Sequence, residues 1–220
     1  MATTSYRVGD SPYYIDAAAD GAELNAILGG RVFLAGGAVK RKDQRNAEGF
    51  GSIQVKFGGA DFEGREAPIN FDNESIFDVL ALTLGAYGFA GNNNVGTNRQ
   101  LNNYYRYGFE SDVRYQRYRL KLASAFGQDD NAILDSSTKG PMINKQSRVY
   151  SAEGLYLIGS SIIPSFRYEF QNDGTTITRR YIPSVGYSPL QNAKMVLEYK
   201  HEDTNKDSSG TVNLALTASF

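Results

Sequence analysis

From Tyr105 onward, apolar and polar residues alternate one by one in segment after segment. Tyr105, Tyr107, Phe109, Val113 and Tyr115 share one parity; Arg106, Gly108, Glu110, Asp112 and Arg114 share the other. A period of two is the pattern of a β-strand whose faces meet two different media. The same reading predicts Tyr118–Phe126, with Leu120, Leu122 and Phe126 opposed to Arg119 and Lys121. It predicts Arg148–Ile158, then Ile162–Phe170, where Phe166, Tyr168 and Phe170 oppose Arg167 and Glu169. Ile177–Pro189 carries Tyr181, Pro183, Val185 and Tyr187 on its apolar face, with Arg180 on the other. Ala193–Glu202 sets Met195, Leu197 and Tyr199 against Lys194, Glu198 and Lys200. In Thr211–Phe220, Val212, Leu214, Leu216, Ala218 and Phe220 share a face.

The first half is less regular. Strands are predicted at Ala22–Leu28, Val32–Lys40, Phe50–Gly58 and Ile76–Phe89. Asp16–Asp20 is the one stretch of helical character, so residues 1–20 read as an extension or a first strand. Residues 21–220 then form one β-domain of ten or eleven strands. Short turns follow Leu28, Tyr115, Ile158 and Leu190; longer polar loops occupy Arg41–Glu48, Gly91–Asn98, Gln128–Gln146 and Asp203–Gly210. Asn172-Asp173-Gly174 is a hairpin signal. The long connection Gly59–Ser75 breaks the alternation of loop length. Pro164 and Pro183 fall in mid-strand, where a missing N–H implies a bulge or an edge.

Two architectures present one greasy face: a soluble β-sandwich and a transmembrane barrel. Sorting of loop length by end favours the barrel. So do tyrosines near strand ends, at Tyr104, Tyr105, Tyr115, Tyr118, Tyr181, Tyr187 and Tyr199, where a membrane interface wants amphipathic rings. The mean hydropathy of -0.42 is compatible with either, because each barrel strand is half polar. The longest greasy run, Val79–Ala90, falls short of a spanning helix. Met1–Arg7 has no apolar core and is not a signal peptide.

Lys plus Arg total 23 and Asp plus Glu 24, so net charge implies no polyanionic partner. There is no Cys and one His, which excludes thiolate chemistry, cysteine-ligated zinc, Cys-x-x-Cys-His haem attachment and a histidine metal cluster. No catalytic set, cofactor loop or metal site emerges. His201 reads as an interfacial or loop residue. Aromatics beside arginines at Tyr104–Phe109 resemble a nucleic-acid platform, but strand geometry sends the two to opposite faces, so no nucleic-acid partner is expected.

The segments Gly21–Asn25, Gly51–Gly59, Leu84–Phe89, Tyr105–Asp112, Pro164–Phe170, Arg180–Pro183 and Leu197–Tyr199 resemble the strand texture of Gram-negative outer-membrane porins. They are similar to the C-terminal part of porin-like proteins that accompany multihaem cytochromes. The terminal Phe220 resembles the assembly signal of bacterial outer-membrane proteins. The resemblance implies an all-β, antiparallel up-and-down transmembrane barrel of about ten to twelve strands, alone or as part of a larger barrel. It implies location in the bacterial outer membrane, with the lipid bilayer and the barrel-insertion machinery as partners. The expected function is a passive, non-enzymatic pore for small polar or ionic solutes. Arg106, Glu110, Asp112, Arg114, Arg119, Lys121, Arg167, Glu169, Arg180, Lys194 and Glu198 are the expected pore-lining residues. One alternative is a structural barrel sheathing a multihaem cytochrome or joining a homo-oligomer; a second is a soluble β-sandwich binding module.

Overall fold

A computed structural model describes residues 5–7, 14–16, 20–40, 47–65, 80–95, 100–132, 143–190 and 193–218. The strands are β1 (Ser5–Arg7), β2 (Tyr14–Asp16), β3 (Asp20–Leu28), β4 (Val32–Lys40), β5 (Glu48–Phe57), β6 (Ala81–Val95) and β7 (Gln100–Tyr115). They continue with β8 (Tyr118–Ala132), β9 (Ile143–Tyr156), β10 (Ile162–Asn172), β11 (Ile177–Leu190), β12 (Ala193–Thr204) and β13 (Ser208–Ala218). No helix occurs among the described residues. β1 and β2 pair with each other, and β3 to β13 form one eleven-stranded sheet. Every strand in it pairs antiparallel with its sequence neighbours, an up-and-down order whose two edges are β3 and β13. A sandwich needs a second sheet packed face to face. Among the described residues the only other sheet is the three-residue pair β1–β2.

Cross-strand register keeps the two faces separate over the whole sheet. Leu34 lies opposite Ile53, Ile53 opposite Ala86, Ala86 opposite Phe109, and so on strand by strand. This is the apolar face, and it is the exposed one, from Leu24 on β3 to Leu216 on β13. The buried strand residues lie on the opposite face: Val39, Phe50, Tyr87, Phe89, Val149 and Ile182 beside Glu48, Asn102, Glu169 and Arg180. The sheet is thus inverted relative to one folded in water, which hides its apolar side.

Glycine lets the polar face close over itself. Gly85 on β6 stands between Gln54 on β5 and Glu110 on β7. A Cβ there would lie 2.6 Å from the Glu110 side chain. Without one, Gln54 Nε2 donates to Glu110 Oε1 across β6 at 2.8 Å. Gly91 does the same six residues further along β6, where a Cβ would lie 2.7 Å from Glu48 Cγ. Across it the Tyr104 hydroxyl donates to the Glu48 carboxylate. Phe50, Phe89 and Tyr87 fill the rest of this corner with Val39.

Several sequence expectations change in detail. β6, β8 and β9 run to Val95, to Ala132 and from Ile143, into segments expected to be loops. Side chains pair there as the strands do: Asn102 Nδ2 donates to Asn93 Oδ1 and to Asp129 Oδ1, both at 3.1 Å. The connection at 205–207 is correspondingly shorter than the expected Asp203–Gly210 loop, while 96–99 and 133–142 lie outside the described residues. Pro164 and Pro183 are neither bulges nor edges. The β9–β10 ladder begins at Ser165, one residue past Pro164. The β11–β12 ladder skips Ile182 and Pro183 between the pairs Tyr181–His201 and Ser184–Glu198. The missing donors fall where no ladder bond is made. The expected Arg41–Glu48 loop yields Glu48 to β5; 41–46, the 66–79 part of the long connection, the 17–19 part of the helical stretch and Phe220 lie outside the described residues.

The described start of that long connection folds back over the β3–β4 turn. Phe62 N–H donates to Gly30 O at 2.8 Å. Arg31 Nη1 donates to Gly58 O and Gly59 O, and the Phe62 ring lies 6.1 Å from Phe33. Asp61 Oδ1 accepts from the N–H groups of Glu63 and Arg65, and Oδ2 from Arg65 Nε at 2.8 Å. Desolvation opposes ionisation of Asp61, but the Arg65 and Glu63 N–H groups and the Arg65 guanidinium outweigh it and hold the carboxyl below its ordinary value.

Candidate functional site

The polar face of β7 to β12 is the chemically dense part of the molecule. All eleven residues expected to line a pore lie on it. Its central row is set by register: Asp112 opposite Lys121, Lys121 opposite Glu153, Glu153 opposite Arg167. Opposite charges directly across a ladder attract. Here four strands carry them in strict alternation. Asp112 takes a two-pronged contact from Arg119, at 2.8 Å to Nε and 2.6 Å to Nη2, and a weaker one from Arg114 at 3.4 Å. Lys121 Nζ lies 3.3 Å from Glu153.

Glu169 is the node of the second group. It is 1% exposed and lies 3.0 Å from Arg167 Nε and 3.4 Å from Arg180 Nη1. Arg180 Nε reaches Glu202 at 2.6 Å, and Arg167 lies 3.8 Å from Glu198. Arg106 stands apart, paired to Asp129 at 2.7 Å. Lys194 is exposed near the start of β12, opposite Thr217. The central row borders a recess of about 460 Å³ lined by Thr83, Glu110, Asp112, Lys121, Glu153 and Arg167.

Sequence reading missed Glu153, Glu202, Asp129 and Gln54 as members of this network. Parity held the signal for two of them. Glu153 opposes Tyr150 and Tyr156, and Glu202 shares the side of Lys194 and Glu198. Asp129 fell in an expected loop, and Gln54 bonds a residue 56 positions away.

The apolar face carries a belt of rings. Tyr105 and Tyr107 have centroids 6.3 Å apart, Tyr107 and Phe126 5.1 Å, Phe126 and Tyr150 5.7 Å, Tyr150 and Phe170 5.9 Å. Tyr168 and Tyr181 continue it at 5.3 Å and His201 ends it 6.2 Å from Tyr181. His201 is therefore a strand residue at the belt. A second cluster, Tyr118 with Tyr156 at 4.7 Å, sits at the opposite end of the strands. Beyond the belt this face changes character: Gln128 opposes Gln146, Arg148 opposes Asn172, and Arg179 opposes Asp203.

No family model, curated protein or solved structure matches the chain. No helix among the described residues is long and apolar enough to cross a membrane. No group of three or more metal-ligating carboxylate or histidine side chains occurs among them either.

Proposed function

We propose that the chain is a bacterial outer-membrane β-barrel that passes small polar or ionic solutes passively. The observation that carries this reading is the exposed apolar face, continuous over eleven strands, with rings at both ends of its central strands. Each large apolar side chain kept in water forgoes about 1.5–3 kcal/mol of burial, so hydrocarbon is the medium this face fits.

Geometry supports the same reading. From Tyr107 on β7 to His201 on β12 the belt shifts four residues along the strands over five inter-strand steps. At about 3.3 Å per residue and 4.8 Å per strand, that is a slope of about 30°. Strands in membrane barrels tilt by about 35–45°, so the belt lies nearly level in a membrane. Tyr107 to Tyr115 spans eight residue steps. That is about 27 Å along the strand and about 22 Å along the normal, close to the roughly 25 Å apolar band of such barrels.

Within the lumen, carboxylates and guanidinium groups neutralise one another pair by pair, so weak ion selectivity is expected. Purified folded protein added to a planar lipid bilayer tests the reading. Stepwise conductance is expected; its absence from protein that has inserted sinks the pore. A second reading, a structural barrel without a free pore, is favoured by the Gln54–Glu110 and Glu48–Tyr104 bridges that lie flat over β6. Silent insertion, with a haem absorbance band that follows the protein through detergent exchange, supports the cytochrome sheath.

A further inference from the structure

One cation breaks the pairing that governs β7 to β12. Arg106, Arg114, Arg119, Arg167, Arg179 and Arg180 each pair with a carboxylate at 3.9 Å or less. Arg148 on β9 is exposed, and its side chain makes no ion pair or hydrogen bond among the described residues. The aspartates around it are engaged elsewhere. Asp129 holds Arg106, Asp130 accepts from Asn103 and Gln128, and Asp173 accepts from the amides of its own hairpin.

Register places Arg148 at the rim of the aromatic belt on the outer, apolar face. Phe126 lies directly across the ladder, and Tyr150 follows two residues along β9 towards the apolar band. There Arg148 lines a groove of about 290 Å³. The groove has two unlike sides. Tyr107 and Phe126, stacked at 5.1 Å, line the side of the apolar band. Gln128 and Gln146, opposite each other two residues further out, line the other. The Tyr105 hydroxyl donates to Gln128 Oε1 at 2.8 Å and fixes that side chain. Gln146 is exposed and its amide makes no side-chain hydrogen bond among the described residues.

An unpaired guanidinium flanked by amide donors suits an anion with several oxygens, and its planar fork matches phosphate. Stacked rings suit hydrocarbon. A soluble anion would use one side of the groove; a phosphate joined to acyl chains uses both. We propose that this groove holds the phosphate of one membrane lipid on Arg148, with the lipid's acyl chains along the Tyr107 and Phe126 rings. The proposal rests on the membrane reading above, which sets the belt where headgroups meet hydrocarbon. An ion pair at that boundary gains strength from the lower dielectric.

Full-length protein folded in detergent, with its strand signal checked by circular dichroism, is titrated with dioleoylphosphatidic acid, and bound lipid is counted by native mass spectrometry. One lipid per chain is expected to bind first. Dioleoylglycerol lacks only the phosphate and glycerol phosphate only the acyl chains; each should bind far more weakly. Arg148→Gln should weaken phosphatidic acid binding about tenfold or more, the worth of a hydrogen bond to a charged group. Arg148→Lys, which keeps the charge without the fork, should lose less. Arg179→Gln, on the same face but paired with Asp203, should change little. Unchanged binding in Arg148→Gln, or an equal loss in Arg179→Gln, overturns the site. Glycerol phosphate that binds as tightly as the lipid overturns the lipid as occupant. Flotation with phosphatidylcholine vesicles separates the two ideas. Protein that floats but shows no dependence on Arg148 refutes the lipid site alone; protein that binds phosphatidic acid through Arg148 but does not float refutes the membrane reading alone.

Discussion

Glu169 shows how one side chain's environment follows from its strand parity. It lies on the buried polar face with two guanidinium groups within 3.4 Å. Removing one partner of a buried ion pair costs about 3–5 kcal/mol. Arg180→Leu should fall at the lower end, about 3 kcal/mol, since Arg167 still faces the carboxylate. Urea unfolding of the vesicle-folded protein measures it; a loss under about 1 kcal/mol would mean that water reaches Glu169 freely. The opposite face makes the complementary prediction. Leu214 lies four residues along β13 from Gly210, the partner of belt residue His201, so it sits near the middle of the apolar band. An Arg at a bilayer midplane costs about 2–4 kcal/mol. Leu214→Arg should therefore lower folding yield in vesicles sharply. Asn213→Arg, one residue away and opposite Glu198, should be nearly silent. Equal effects would show that the two faces meet the same medium.

Single strands carry their own tests. Gly85→Val forces a Cβ into the Glu110 side chain. Such crowding costs about 1–3 kcal/mol. It should also uncouple Gln54: the effect of Gln54→Ala on the urea midpoint should shrink in the Gly85→Val background, and purely additive effects would deny the bridge over β6. The Asp61 turn predicts a pH response. Its carboxyl is held below the ordinary value when folded, so the stabilisation is present above the unfolded carboxylate pKa, near 3.9, and is lost as pH falls through the lower folded value. Hydrogen exchange at the Glu63 and Arg65 amides should speed up, beyond its ordinary pH trend, only in that acid range. Asp61→Asn should remove the step; an unchanged profile would mean that the carboxylate does not hold the turn. Such a turn is not visible in sequence, because it depends on Gly30 and Arg31 of another connection. Val32–Lys40 was legible to the residue, because the second strand stands between two clear turn signals. The far ends of β6, β8 and β9 were not. Past the belt both faces are polar, so alternation vanishes at Asn92–Val95 and Gln128–Ala132 although the ladder continues. The charged face was legible as a list of residues, since parity alone assigns it. Who pairs with whom was not, because register joins partners as distant as Gln54 and Glu110.

For the molecule as a whole, parity of the strands fixes which connections share an end. Those after β4, β6, β8, β10 and β12 lie at one end; those after β3, β5, β7, β9 and β11 lie at the other. The first end is the side of the aromatic belt, where polar strand ends project past the apolar band. β13 runs away from it. Membrane barrels keep short turns on the periplasmic side and longer segments outside, so the belt side is expected to face outward. Asp173 supports a fixed hairpin there: its carboxylate accepts from the Thr175 and Thr176 N–H groups, each at 2.8 Å. Thr175 is exposed at the outward end and Ser160 at the inward end, and neither lies in the apolar band. Single variants Thr175→Cys and Ser160→Cys, expressed with an export signal in Gram-negative cells, can be treated intact with a membrane-impermeant maleimide. Thr175→Cys should be labelled in intact cells and Ser160→Cys only after lysis. The reverse pattern would invert the orientation. Labelling of both in intact cells would mean that this sheet does not separate two compartments, and the pore would fall with it.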